Sequence, residues 1–172
     1  MLYEVKNVAR RYRVNGYTVA ALRGVSLEIA RGEFVALAGP SGSGKTTLLN
    51  LLGLLDWPDE GTLRFEAADV SNMAERQLTA LRRERIAFIF QNCNLIPVLT
   101  AFENVEYFLL KRDVHGADVR NRVCNVLDAV GLATRAHHRA AALSGGERQR
   151  VAVARALVRD VDVVLADGRL MP

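Results

Sequence analysis

Cysteine is scarce in this chain. Cys93 and Cys124 are the only two, far apart in sequence, and they offer neither a disulfide framework nor metal-ligand spacing. The expectation is a pair of reduced thiols in a cytosolic protein. Long apolar runs are also lacking. The longest, Leu48 to Leu55, is interrupted by Asn50 and Gly53 and is too short to span a bilayer, so a membrane would be reached only through a partner. Met1-Leu2-Tyr3-Glu4-Val5-Lys6 alternates like the start of a strand and does not read as a secretory leader. Charge of one sign is not in excess: 23 basic against 19 acidic residues leave +4, which gives no argument for nucleic acid as a partner. The clusters Arg10, Arg11, Arg13 and Arg82, Arg83, Arg85 read as solvated faces. Repeats and low-complexity segments are absent. What the chain has is apolar content, half of its 172 residues, enough for one domain with its own core.

Against this background one segment stands out. Gly39-Pro40-Ser41-Gly42-Ser43-Gly44-Lys45-Thr46 is a complete phosphate-binding loop. The apolar run from Glu33 to Ala38 before it predicts a buried strand, and Thr46-Thr47-Leu48-Leu49-Asn50-Leu51-Leu52 after it predicts a helix. A glycine-rich turn at that junction converges backbone N–H groups on phosphate oxygens, and the helix N-terminus adds its partial positive charge. Lys45 is placed to reach the β- and γ-phosphates, and the Thr46 hydroxyl to ligate Mg²⁺. The chemistry is that of a nucleoside triphosphate site.

Around the loop the patterns alternate between strand and helix. Leu2 to Ala9 and Val19 to Ile29 read as strands, with Asn15-Gly16 as a hairpin turn between them. Trp57 to Gly61 reads as a turn, Thr62 to Phe65 as a short strand, and Ala74 to Glu84 as a helix. Ile86 to Phe90 predicts a second buried strand ending at Gln91. Thr100 and Glu103 form a capping-box pattern opening a helix to about Leu110. Val119 to Val130 is helical and stopped by Gly131, Gly145 to Val158 is helical, and Val161 to Ala166 predicts a last buried strand. Strands near both ends bracketing a helical middle imply an α/β core with a helical insertion.

A second anion cradle follows. Leu143-Ser144-Gly145-Gly146-Glu147-Arg148-Gln149-Arg150 places a serine and two glycines at a helix N-terminus. One nucleotide does not need two cradles in one chain. Two chains arranged head to tail would use both.

With these two motifs in this order, the chain resembles the nucleotide-binding subunit of an ATP-binding-cassette transporter, over Met1 to Asp167. The resemblance implies a P-loop NTPase (RecA-like) core with an N-terminal antiparallel β subdomain. The core would occupy about 1–97 and 144–167, and a helical subdomain about 98–143. It implies ATP and Mg²⁺ as cofactors, with Gly39 through Thr47, Ser144, Gly145 and Gly146 around the nucleotide. Tyr12 matches the aromatic that stacks on adenine; Tyr17 is a weaker candidate. Gln91 matches the glutamine that touches Mg²⁺ and the attacking water and opens the loop facing the membrane subunit. Asp167 matches the aspartate that holds the Mg²⁺ water shell. The implied partners are a second cassette and an integral-membrane permease, with no nucleic acid, and the implied location is cytoplasmic, on the inner face of the cell membrane. The segment from Gln91 to Glu106 is similar to the subgroup that drives lipoprotein release and macrolide export, although Cys93 stands where an aromatic is expected. A P-loop kinase does not fit the Ser144 cradle, and a soluble repair or translation cassette would carry two cassettes or long insertions.

The pattern breaks after Asp167. The family's next residue is a glutamate that acts as general base, and Gly168 stands in its place. The tail 168–172 reads as aberrant, as a one-base frame slip would make it, and the cassette as incomplete. Hydrolysis by this chain is therefore in doubt, with an ATP-binding remnant as the alternative. His115, His137 and His138 all precede Asp167 and read as surface residues. Strands expected later would be missing, leaving an open sheet edge and bare apolar faces.

Overall fold

A computed structural model describes residues 1–110 and 117–168 of the protein. His115 and the tail from Arg169 onward lie outside the described residues. The chain divides into two compact units, Met1–Ile86 and Ala87–Pro172.

The first unit is built on a four-stranded antiparallel sheet of order β2-β1-β3-β4. Strands β1 (Tyr3–Val14) and β2 (Tyr17–Ile29) are joined at Asn15-Gly16 as the hairpin signal predicts. They are longer than the alternation alone suggested. The register slips near Asn7 and between Arg10 and Arg11, and such bulges blur a period of two. Strand β3 (Glu60–Phe65) pairs with β1, and the two-residue β4 (Ala68–Asp69) pairs with β3. The buried face carries Tyr3, Val5, Val8, Leu63 and Phe65. Helix α1 (Lys45–Leu52) contributes the buried Leu48, Leu51 and Leu52. The Tyr3 hydroxyl, buried among them, donates to the Leu52 carbonyl at 2.7 Å, which removes the cost of hiding a polar group. Helix α2 (Glu75–Arg85) closes the unit.

One expectation fails here. Residues 33–40 form no strand and are mostly exposed, with Phe34 at 90%. A buried-type apolar run becomes a strand only when neighbouring strands accept its N–H and C=O groups. Among the described residues no strand pairs with it. Val35 is exposed as well, as is Val164 in the second unit.

The second unit packs helices α3 (Ala101–Leu110), α4 (Ala117–Ala129) and α5 (Gly145–Leu157) around one core. Val105, Leu109, Val123, Leu127 and Val151 are its centre. The Thr100–Glu103 capping box forms as predicted. The Thr100 N–H donates to Glu103 Oε2 at 2.8 Å, and the Glu103 N–H donates to Thr100 Oγ1 at 3.1 Å. Gly131 ends α4 with φ 70°. The other face of α5 brings Ala152 and Ala156 against Ala87 and Ile89. Ile89 belongs to β5 (Ile86–Ile89), which pairs with β6 (Val163–Ala166). Helix α5 is thus shared by a helical core and a small sheet. Among the described residues no helix is long and apolar enough to cross a membrane.

Candidate functional site

The phosphate-loop residues occupy a turn that ends at Gly44, the residue before α1. Gly44 has φ +90°, and a Cβ there would lie 2.4 Å from the Ala21 carbonyl oxygen on β2. Only glycine fits, because the left-handed backbone and the strand beneath both exclude a side chain. Lys45 is the first helical residue and is half-buried. Its Nζ donates to the carbonyl oxygens of Gly39 (2.9 Å) and Pro40 (2.8 Å) and to Ser43 Oγ (3.3 Å). The lysine therefore lies across its own loop, with its charge held where phosphate oxygens would enter. The α1 N-terminus has no side-chain cap.

Tyr12 lies on β1 in register with Val19 of β2. Its hydroxyl donates to Asp56 Oδ2 at 2.6 Å, and the Arg10 guanidinium sits 4.9 Å from its ring centroid. Arg10 is thus not the solvated residue its cluster suggested: it forms ion pairs with Asp56 and Asp59. Tyr17, the weaker candidate, is 78% exposed beside the hairpin turn.

The second unit gathers a different set. Gln91, Gly145, Asp167 and Gly168 line one cavity of about 420 Å³, together with Asn92, Arg148 and Gln149. Gln91 follows β5 and Asp167 follows β6, and the Asp167 N–H donates to the Ile89 carbonyl at 2.9 Å. The pairing of two short strands thus brings a carboxylate and an amide to the same end of the sheet. Gly168 has φ +114°, and a Cβ there would meet the Gln91 side chain at 3.1 Å. A side chain at 168 would be strained at that φ and would press on Gln91, which must give way slightly. Arg148 and Gln149 were not singled out from sequence as site residues. The signal for them was their place on α5 three and four residues on from Gly145, and so on the same helix face.

Ser144 is the N-cap of α5. Its Oγ accepts from the Glu147 N–H at 3.3 Å, and its own N–H donates to Glu147 Oε2 at 2.8 Å. These bonds, the Ser144 N–H foremost and Arg135 beside them, hold the Glu147 carboxyl below its ordinary range. The Ser144 side chain also hydrogen-bonds the Glu147 carboxyl, so its hydroxyl is engaged within its own capping box. Glycine at 145 and 146 keeps the surface over that turn free of side chains.

The loop that starts at Gln91 is held from below by an arginine. Arg155 of α5 is only 7% exposed. Its guanidinium donates to the carbonyls of Cys93 (2.7 Å) and Asn94 (2.8 Å) and stacks 5.2 Å from the Phe108 ring. Cys93 and Asn94 both take left-handed backbone angles, φ 57° and 45°, which aim those carbonyls at the cation. Burial lowers the Arg155 pKa. Asn104, 2% exposed, holds the next stretch: it accepts from the Ile96 N–H and donates to the carbonyls of Ile96, Leu99 and Thr100. His137 and His138 are exposed, as expected.

A glycine-rich turn opening a helix whose first residue is a lysine defines a P-loop nucleotide-binding protein. Residues 22–169 match the ABC transporter family, and the chain belongs to that family of ATP-binding, ATP-hydrolysing cassettes. An ABC transporter ATP-binding protein of Thermotoga maritima is 47% identical over 95% of this chain and 70% of its own length. The macrolide export ATP-binding/permease protein MacB of Hyphomonas neptunium is 48% identical over 96% of this chain, which spans only 26% of that relative. The lipoprotein-releasing system ATP-binding protein LolD of Bacteroides fragilis is 46% identical over 87% of this chain and 69% of its own length. These relatives agree with the subgroup resemblance of residues 91–106. Among solved structures, a dimeric post-hydrolysis state of the ATP-binding cassette MJ0796 bound to ADP and Pi superimposes with a TM-score of 0.90 at 41% identity. The match covers 96% of this chain and 73% of that one.

Proposed function

We propose that the chain is the ATP-binding subunit of a transporter of the lipoprotein-release or macrolide-export type, working on the cytoplasmic face of the membrane through a permease. The observation that carries this reading is the phosphate loop: Gly44 pressed on β2 and Lys45 lying across the loop. Backbone N–H groups and one cation suit a triphosphate. Mg²⁺ fits the residues present, since Asp167 and Gln91 bring hard oxygen donors to one cavity. Gln91 and Asp167 would hold it, and it would neutralise charge on the phosphates; the Thr46 hydroxyl at the start of α1 is a hard oxygen donor of the same kind. Gln91 would also orient a water molecule. Position 168 offers no proton acceptor, so turnover by this chain is expected to be slow.

Ser144, Gly145 and Gly146 would serve the nucleotide of a second copy docked head to tail, each site shared between Lys45 of one chain and Ser144 of the other. The helical segment 98–143 would act as a subdomain of the cassette. Calorimetric titration tests both points. Lys45→Ala should weaken ATP binding by about 2–4 kcal/mol, the size of a desolvated charge-assisted contact. Ser144→Arg should leave binding by the single chain nearly unchanged while abolishing ATP-dependent association in ultracentrifugation. Equal losses in the two variants would place the cradle in its own chain's site and end the shared-site reading.

A further inference from the structure

The motifs above leave one polar cluster of the first unit unused. Asp56, just beyond the end of α1, accepts four hydrogen bonds. Arg10 Nε (3.0 Å) and the Tyr12 hydroxyl (2.6 Å) reach its Oδ2, and Arg10 Nη2 (2.7 Å) and the Trp57 N–H (2.8 Å) reach its Oδ1. The remaining guanidinium nitrogen, Nη1 of Arg10, donates to Asp59 Oδ1 at 2.7 Å, and Asp59 Oδ2 accepts the Arg11 N–H at 2.6 Å. Both carboxylates are therefore committed. Arg10 and Asp56 are each about four-fifths buried at the side chain. A two-pronged arginine–carboxylate pair with that burial is worth more than an exposed ion pair, because its geometry is fixed and solvent screens it less.

The cluster acts on one ring. Tyr12 is tethered at its hydroxyl by Asp56 and covered on one face by the Arg10 guanidinium. A tethered phenol loses most of its rotamer freedom, so a flat partner arriving later does not have to freeze it. With one face taken by a cation, a stacking partner has only the other. The sheet also fixes where the ring stands relative to the phosphate loop. Gly44 abuts Ala21 of β2, Ala20 pairs with Arg11, and Val19 pairs with Tyr12. One hairpin thus spaces the aromatic from the phosphate loop.

We propose that Arg10 and Asp56 are positioning residues for the nucleotide base: they lock Tyr12 into a one-sided platform before ATP arrives. The inference rests on the reading of Tyr12 as the base-stacking residue. It assigns a task to an arginine that sequence reasoning placed on a solvated face, and to an aspartate that it did not single out.

The test compares two ligands of the intact chain by calorimetry: ATP, which has a base, and inorganic tripolyphosphate, which has only the phosphates. Tyr12→Ala should weaken ATP about tenfold or more, the scale of one aromatic–base stack. Asp56→Ala and Arg10→Gln should each weaken ATP severalfold while leaving tripolyphosphate unchanged. Tyr12→Phe keeps the ring and removes only the tether, so it should fall between wild type and Tyr12→Ala. It also guards against an Asp56 variant that does not fold. If Tyr12→Ala weakens ATP but Asp56→Ala, Arg10→Gln and Tyr12→Phe do not, stacking stands and the positioning role is overturned. If ATP and tripolyphosphate weaken together in the Arg10 and Asp56 variants, the cluster is merely structural, and the proposal is again overturned. If Tyr12→Ala itself leaves ATP binding unchanged, the base-stacking reading falls and takes this inference with it.

Discussion

The protein opens two helices with glycine-rich turns, and the two openings are built in opposite ways. At α1 the N-cap is a left-handed Gly44 without a side-chain cap, and the loop before it is crossed by its own lysine. At α5 the N-cap is Ser144, closed by a reciprocal box with Glu147, and the helix behind it is buried between two hydrophobic clusters. One opening has no side-chain cap and brings its own cation. The other is satisfied locally and offers a preformed surface. The difference teaches that a binding loop and a docking cradle can share residue types while differing in which backbone groups are already paired.

The sharpest way to break this comparison is to add one methyl group at each opening. Gly44→Ala forces a Cβ into the Ala21 carbonyl at a positive φ. Strain plus overpacking should cost about 2–6 kcal/mol against the loop's conformation and remove ATP binding. Gly145→Ala meets nothing within 4 Å and should leave the fold unchanged or slightly more stable in thermal melts. Equal damage from the two would mean that the openings do not differ as described.

A smaller effect is expected beneath the Gln91 loop. Arg155→Leu leaves the Cys93 and Asn94 carbonyls without their donors, which should destabilise the chain by about 1–3 kcal/mol. Hydrogen exchange should rise across residues 91–95 and hardly at all in β1–β3. Ser144→Ala removes the acceptor of the α5 cap and should cost about 1 kcal/mol in denaturant unfolding. At α1, which has no side-chain cap to lose, Ser43→Ala should cost less.

The smallest effect is a pH dependence. The Glu147 carboxyl lies below its ordinary value of 4.5, through the Ser144 N–H first. Its folded pKa is depressed, so its contribution is present above about pH 4.5 and is lost as pH falls through the lower folded value. Glu103 behaves alike through Thr100. Glu147→Gln should therefore be less stable than the wild type near pH 7, with the difference shrinking as pH falls below 4.5 and a shallower acid dependence for the variant.

Much of this was legible in the chain itself. The Asn15-Gly16 hairpin, the Thr100–Glu103 capping box and the stop at Gly131 follow from local chemistry, in which the side chain and the backbone group it serves are a few residues apart. The phosphate loop could be read because its constraint is also local. What sequence could not supply were pairings across long separations. The strand expected at Glu33 to Ala38 was apolar enough, but a strand is defined by neighbours, and none of the described residues provides one. Arg10 with Asp56, and Arg155 with Cys93 and Asn94, are likewise contacts between distant segments. Nothing in an arginine's own vicinity announces whether it will face water or a carboxylate.

The exposed run before the phosphate loop has one more consequence. A protease needs a stretch of chain that it can draw out straight, and it cuts best where a preferred side chain is already outside the fold. Phe34, 90% exposed with no strand holding residues 33–40, is such a place for an enzyme that cleaves after aromatic residues. The scissile bond would lie just upstream of Gly39, so a single nick there would divide the hairpin from the phosphate loop.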